Sequence, residues 1–220
     1  MWVVKLGGSL IGSPELKSWL DAFAQFGDGK VVIVPGGGLF ADAVREAQAK
    51  TAIADATAHQ MAVMAIDQYA TLMVGLNADL VTASSELEIA ERGWQHRAVI
   101  WKPSAMVLAD HDLPMSWDLT SDSLAAWLAS KLNAEHLLVV KSMSLSSSPS
   151  VSVPVSRNNH SQYQLQSLIE EGVVDPYFGR YLAHQTFKTW LVGKDEFSKI
   201  NSPITHQSSP MVGVEVISTN

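Results

Sequence analysis

The stretch Trp2-Val3-Val4-Lys5-Leu6-Gly7-Gly8-Ser9 decides how the rest of the chain is read. Its first five residues are apolar or β-branched apart from one lysine, and a glycine pair stops them, which is the pattern of a buried strand running into a turn. The same pattern returns at Val31-Val32-Ile33-Val34, followed by Pro35-Gly36-Gly37-Gly38. Between the two runs, Ser13-Pro14 supplies a helix N-cap and first position. Leu16, Trp19, Leu20, Phe23 and Phe26 then recur at helical spacing up to Gly27. After the second turn, Leu39–Lys50 is helical with Phe40, Val44 and Ala47 inward. The first fifty residues therefore read as βαβα.

The alternation continues outward from there. Ala54 to Val74 predicts a long helix, apolar on most sides, packed in the domain or against a second copy of the chain. Leu80–Thr82 and Ala98–Trp101 predict strands, with a helix over Ser85–Arg92 between them. Thr120-Ser121-Asp122 caps a helix that runs through Lys131, and His136–Val140 is a further buried strand. Helices that separate successive strands predict an α/β, three-layer αβα sandwich with a mainly parallel central sheet. In residues 142–156, eight of fifteen are serine, which reads as an exposed loop. Beyond it, Gln162–Glu171 and Tyr177–Lys188 are expected as helices, Thr189–Val192 as a strand, Val212–Ile217 as a closing edge strand, and Asn201–Pro210 as loop.

Composition limits the function. The 220 residues are 47% hydrophobic and 17% charged, enough for one compact α/β domain rather than a disordered chain. Fifteen Lys and Arg against 22 Asp and Glu give a net charge of −7, which opposes nucleic acid and anionic membrane surfaces. There is no cysteine, so thiol catalysis, disulfides and thiolate metal sites are excluded. The start lacks a signal-peptide pattern and no run is long and apolar enough to span a bilayer, so a cytoplasmic protein that begins at Met1 is expected. Of the seven tryptophans, Trp2, Trp19, Trp101, Trp127 and Trp190 fall on strands or helices and are assigned to the core.

Three features carry chemistry. A strand followed by Lys5-Leu6-Gly7-Gly8-Ser9 lets backbone N–H groups approach an anion while the lysine adds a point charge, in outline a phosphate cradle. An isolated glycine pair is ordinarily just a βα turn. Gly36-Gly37-Gly38 at the matching end of a second strand changes this, because two such turns at neighbouring carboxyl ends flank one crevice. Neither is a GxGxxG or GxxxxGK[ST] loop. The third feature is Ser116 to Leu124, where Asp122 at a helix start is placed to orient a lysine. Asp55, His59 and Asp67 share one long helix, with Asp55 and His59 four apart on one face. They fall short of a metal site and read as polar substrate contacts or satisfied buried groups.

Taken in order and spacing, Lys5–Ser9, Pro35–Gly38 with Phe40-Ala41-Asp42, and Thr120-Ser121-Asp122-Ser123 resemble the amino acid kinase superfamily over about Trp2 to Val140. Ser116-Trp117 ahead of Thr120–Leu124 is most similar to the branch of methanofuran biosynthesis, which phosphorylates an aminomethyl-furanyl-methyl phosphate. The resemblance implies an ATP-dependent kinase using ATP and Mg²⁺, acting on a small-molecule phosphate monoester and forming a homo-oligomer. It implies Lys5 and Asp122 as catalytic residues, with Lys5, Gly7, Gly8 and Ser9 on the nucleotide phosphates. Gly36, Gly37, Gly38, Thr120 and Ser121 would hold the acceptor, and magnesium would arrive with the nucleotide. Residues 1–220 would form a single kinase-like domain, 1–140 on the acceptor side and 141–220, with the serine-rich loop, on the nucleotide side. Other acceptors, such as uridylate or a carboxylate, or an attenuated binding or regulatory protein on the same fold, are the alternatives.

Two departures from the family pattern mark this chain. Relatives follow the fourth strand with a Thr-Asp-x-Asp-Gly-like turn, whereas this sequence has Lys141-Ser142-Met143-Ser144-Leu145, base for acid. The second lysine that relatives carry on a late helix aligns with Ala183 or Thr186, leaving Arg180, Lys188 or Lys141 as substitutes. Trp117, near Asp122, is read either as a ring that stacks on a heteroaromatic substrate or as packing at the helix entrance.

Overall fold

A computed structural model of the chain describes residues 1–142, 162–183, 185, 187–206 and 213–217. The serine-rich segment from 143 onward, and with it Met143-Ser144-Leu145, lies outside the described residues, as does Thr186.

The described strands form an eight-stranded sheet in the order β3-β4-β2-β1-β5-β7-β8-β6. At its centre β1 (Trp2–Leu6) lies between β2 (Val31–Pro35) and β5 (His136–Lys141), parallel to both. Outward from β2 come β4 (Val99–Trp101) and β3 (Val81–Ala83), also parallel. On the other side β7 (Lys188–Gly193) is parallel to β5, but β8 (Val214–Ile217) is antiparallel to β7 and carries β6 (Gln162–Gln164) at the edge.

Strand alternation assigns the two faces. Trp2, Val4 and Leu6 with Val31 and Ile33 pack under α1 (Pro14–Phe26) through Trp19, Leu20 and Phe23. Val3, Val32, Val34, Leu137 and Val139 face the other way, against α6 (Ser121–Lys131), whose residues from Asp122 to Ala129 are all buried. The predicted αβα sandwich is therefore met, and the five tryptophans assigned to the core are all buried. Burial of each large apolar side chain contributes about 1.5–3 kcal/mol, so both faces of the sheet depend on this alternation. The helices α2 (Gly38–Thr51) and α3 (Asp55–Leu76) pack on one another beside the carboxyl end of β2. α4 (Glu86–Trp94) and α5 (Ser104–Val107) complete the first part of the chain.

The later third differs from the sequence-based expectation. Gln162–Gln164 is a strand and only Leu165–Glu170 (α7) is helical. The helix expected over Tyr177–Lys188 is the five-residue α8 (Phe178–Leu182), and Lys188 starts β7. Residues Asn201–Thr205 form α9 rather than loop, because Ile200 and Ile204 close the core over Trp190 and Val192. β8 does not close the edge but pairs on both sides. Short helices carry too few turns for a periodic apolar signal, which is why the bounds of α7, α8 and α9 are misread, whereas the strand expected at Val212–Ile217 is present over Val214–Ile217 and differs only in its place in the sheet.

Candidate active site

The register fixes the site. Lys5 is level with Val34 of β2 and Val139 of β5, and Leu6 is level with Pro35 and Val140, so three strands deliver their following residues to one edge. Lys5 points to the α6 face, and so does Lys141, two residues beyond Val139 on β5. Asp122, in the first turn of α6, lies between them. Its Oδ1 is 2.8 Å from Lys5 Nζ and its Oδ2 is 2.6 Å from Lys141 Nζ. Lys5 and Asp122 are buried and Lys141 nearly so. Burial opposes the charge on Asp122, but Lys5 and then Lys141 outweigh it and hold the carboxyl below its ordinary pKa. Burial pulls the Lys141 ammonium below its usual value, with Asp122 resisting and Lys5 assisting. Two ammonium groups thus share one buried carboxylate, and the buried Asp175 carboxylate also acts on Lys141.

The glycine turns meet beside it, backbone to backbone. A Cβ on Gly8 would stand 2.1 Å from the Gly38 nitrogen, and one on Gly36 would stand 2.4 Å from the Gly8 nitrogen. Only glycine permits that approach, and Gly38 also adopts φ +52°. At Gly7 the added atom would sit 3.4 Å from both Lys5 Nζ and Ser9 Oγ, so an ammonium and the hydroxyl of an exposed serine stand in contact distance of that turn.

Across the Gly36–Gly38 turn, a cavity of about 160 Å³ lies where α2 and α6 begin. Its polar wall is Gly37, Gly38, Thr120, Ser121 and Arg45, and its apolar wall includes Val63, Ile66 and Leu124. Two helix N-termini converge on it, which favours an anion. Arg45 lies over the Trp117 ring at 4.4 Å and is held by Asp42 at 2.8 Å. The Trp117 indole N–H donates to Gln48 Oε1 at 2.8 Å. Trp117 therefore packs against α2 through its edge and one face while still lining the cavity. His59, buried on α3, lines the opposite side, with Nδ1 3.1 Å from the Ser116 carbonyl. Asp55 accepts from Gln48, and Asp67 caps the start of α5 through the Ser104 N–H and hydroxyl. Both are satisfied structural groups outside the cavity lining.

Asp175 is the residue that the sequence reading passed over. It is buried, and its Oδ2 accepts from the Thr120 N–H at 3.2 Å, the Thr120 hydroxyl at 2.6 Å and the Ser123 N–H at 3.0 Å. Its Oδ1 accepts from the Ser123 hydroxyl and from the Tyr177 and Phe178 N–H groups at 3.0 and 3.1 Å. One carboxylate thus pins the start of α6, where Asp122 sits, to the start of α8. The Asp-Pro step at 175–176 is a turn and capping signal visible in the sequence, although its partners 55 and 52 residues away are not.

Of the three candidate second cations, Lys141 reaches Asp122. Arg180 is exposed on α8, and Lys188 pairs with His136 at the amino end of β5, the opposite end of the sheet from Lys141. Lys188 is thereby removed from the site, since strand direction carries it away.

The model of the amino acid kinase family matches residues 1–102. A curated relative, the (5-(aminomethyl)furan-3-yl)methyl phosphate kinase of Methanocaldococcus jannaschii, is 28% identical over 141 residues, covering 63% of this chain and 64% of that one. The match thus spans just under two thirds of the relative's length. Among solved structures, uridylate kinase from Archaeoglobus fulgidus superposes with a TM-score of 0.68 at 17% identity, over 98% of this chain and 99% of that one. UMP kinase from Bacillus anthracis gives 0.66 at 14% identity, over 98% and 94%. The resemblance to the amino acid kinase family and the mainly parallel α/β fold are both borne out.

Proposed function

We propose that the chain is an ATP-dependent small-molecule kinase that phosphorylates a phosphate monoester, with an aminomethyl-furanyl-methyl phosphate as the favoured acceptor. The observation that carries this reading is the Lys5–Asp122–Lys141 cluster, two ammonium groups on one buried carboxylate beside two touching glycine turns. Transfer between two anions is limited by their repulsion, so a protein accelerates it with fixed positive charge and in-line placement. In this scheme Lys5, with the Gly7, Gly8 and Ser9 donors, holds the β- and γ-phosphates. Lys141 serves as the second cation in place of the lysine missing from the late helix. Gly36–Gly38, Thr120 and Ser121 hold the acceptor phosphate at the start of α2 and α6. An acceptor oxygen bonds to the γ-phosphorus as its bond to the β–γ bridging oxygen breaks, and ADP leaves with that oxygen.

Asp122 sets the spacing of the two lysines. Because both of its oxygens face ammonium groups, it is not offered to a metal, and no group of three or more His, Asp or Glu stands together among the described residues. Mg²⁺ would therefore ride on the nucleotide phosphates and supply further charge neutralisation there. The acceptor-side and nucleotide-side halves, 1–140 and 141–220, belong to the same reading, as does a cytoplasmic setting. No helix among the described residues is long and apolar enough to cross a membrane. Self-association through α3, whose Met61 and Met64 are exposed, is also part of it, and light scattering measures it directly.

Incubation with Mg·ATP and the furanyl phosphate is expected to give ADP and a diphosphate, and Lys5→Ala to remove nearly all turnover. Full activity in that variant overturns the assignment. The second reading, a binding protein that keeps the anion pocket without transfer, is favoured by α8, whose one basic residue, Arg180, is exposed. Calorimetry that finds a phosphate ligand but no affinity for ATP would select it.

A further inference from the structure

The cavity beside the Gly36–Gly38 turn is polar at the start of α2 and α6 and apolar along α3, with one exception. That exception is His59. Its Nδ1 lies 3.1 Å from the Ser116 carbonyl oxygen, and a carbonyl can only accept, so Nδ1 carries the proton. Burial leads in holding the ring below its ordinary pKa, against the Ser116 contact, which keeps the imidazole neutral near pH 7. Nε2 is then a bare lone pair. Among the described residues it has no protein partner, on a side chain that is only 4% exposed and lines the cavity.

An acceptor that faces the cavity is met by water when the cavity is empty and by a ligand donor when it is filled. The cavity volume of about 160 Å³ is comparable with cavities that take up one benzene-sized ring. The phosphate end is fixed by the helix N-termini and Arg45, so the opposite end of a bound acceptor faces α3. Resting on the acceptor reading given above, we infer that His59 is a specificity-determining residue whose Nε2 receives an N–H or O–H donor at the end of the acceptor remote from its phosphate. The acceptor class is thus a compact phosphate monoester with a single apolar ring and a terminal amine or hydroxyl. A second anionic group at that end is disfavoured, because the lone pair would repel it.

Calorimetry on the intact protein tests this with two probes: the aminomethyl-furanyl-methyl phosphate and its analogue with methyl in place of the amine. The amine probe is expected to bind about tenfold more tightly, the value of one hydrogen bond. His59→Leu is expected to bring the two probes within about twofold, by weakening the amine probe alone. Equal binding of both probes to the unaltered protein overturns the role of His59 and leaves the acceptor reading standing. A tenfold preference that survives His59→Leu also overturns it. Binding of neither probe overturns the acceptor reading and this inference together. Should His59→Leu fail to fold, nitrogen NMR of the unaltered protein decides: the His59 Nε2 resonance shifts with the amine probe and not with the methyl probe, and equal shifts refute the proposal.

Discussion

The two ends of the sheet make an instructive pair. At the amino end, Met1, Trp2, Lys30, Glu135, Ile204, Thr205 and His206 surround a cavity of about 650 Å³. At the carboxyl end, the cavity is about 160 Å³. The larger hollow holds an ordinary surface ion pair, the N-terminal ammonium to Glu135 at 3.4 Å, with Met1 half-buried and Glu135 exposed. The smaller adjoins a buried two-lysine cluster, two helix N-termini and two glycine turns in contact. The proposed chemistry is placed by convergent, desolvated charge rather than by volume, since a charge acts strongly only where water does not screen it.

The comparison breaks most readily through Asp122. Asp122→Ala leaves Lys5 and Lys141 buried without a counter-charge, and should cost about 3–5 kcal/mol in stability. Glu135→Ala at the other end should stay within about 0.5 kcal/mol. Urea melts of the two variants are the measurement, and similar losses would erase the distinction. Removing Lys5 alone should lower the proposed transfer rate by about 10²–10³-fold or more, by analogy with the loss of one preorganised charge donor, whereas Lys30→Ala should leave the rate unaltered.

Gly8→Ala is the next test. The added methyl would overlap the Gly38 backbone at 2.1 Å, so the two turns must separate. Overpacking of this kind costs about 1–3 kcal/mol, and the loss of phosphate affinity should exceed the loss of stability. Asp175→Asn sharpens the same comparison from a distance. An amide presents an N–H where the carboxylate receives donors, so the start of α6 loosens by about 2–3 kcal/mol. Because Asp122 sits on that turn, the proposed kcat should fall more than KM rises.

Much of this was legible beforehand, for a local reason. Strand runs with period-two burial, stopped by glycine, announced β1, β2 and their turns, and the same parity places Lys141 on the face of Lys5 once β5 is set beside β1. What stayed hidden is non-local. Nothing near Asp175 reveals Thr120 or Ser123, and nothing in Gln162–Gln164 shows that it pairs with Val214–Ile217. The cavity itself belongs to the same class, since α2, α3 and the start of α6 meet only after folding. For that reason His59 could be read from the sequence as a satisfied core group or a ligand contact, and the structure shows it buried with Nδ1 on the Ser116 carbonyl and its ring lining the cavity.

The smallest expected effect concerns two histidines, the buried His59 and the half-buried His136, one at each end of the sheet. His59 lines the proposed acceptor cavity, and His136 stacks on Trp2 at 4.2 Å. Burial is the leading cause that puts both below the ordinary histidine value of 6.5. The unfolded chain therefore takes up protons near pH 6.5 while the folded chain does not, so stability falls as pH drops below 6.5 and levels off once the folded values are passed. His136→Phe keeps the stack and should flatten that slope without touching acceptor affinity. His59→Leu should flatten it and weaken the amine-bearing acceptor as well. Urea melts at pH 7.5, 6.5 and 5.5 alongside calorimetry separate the two. If the variants behaved alike in both measurements, His59 would be no more than a second histidine shifted by burial, and the division between the two ends of the sheet would stop at Lys5, Asp122 and Lys141.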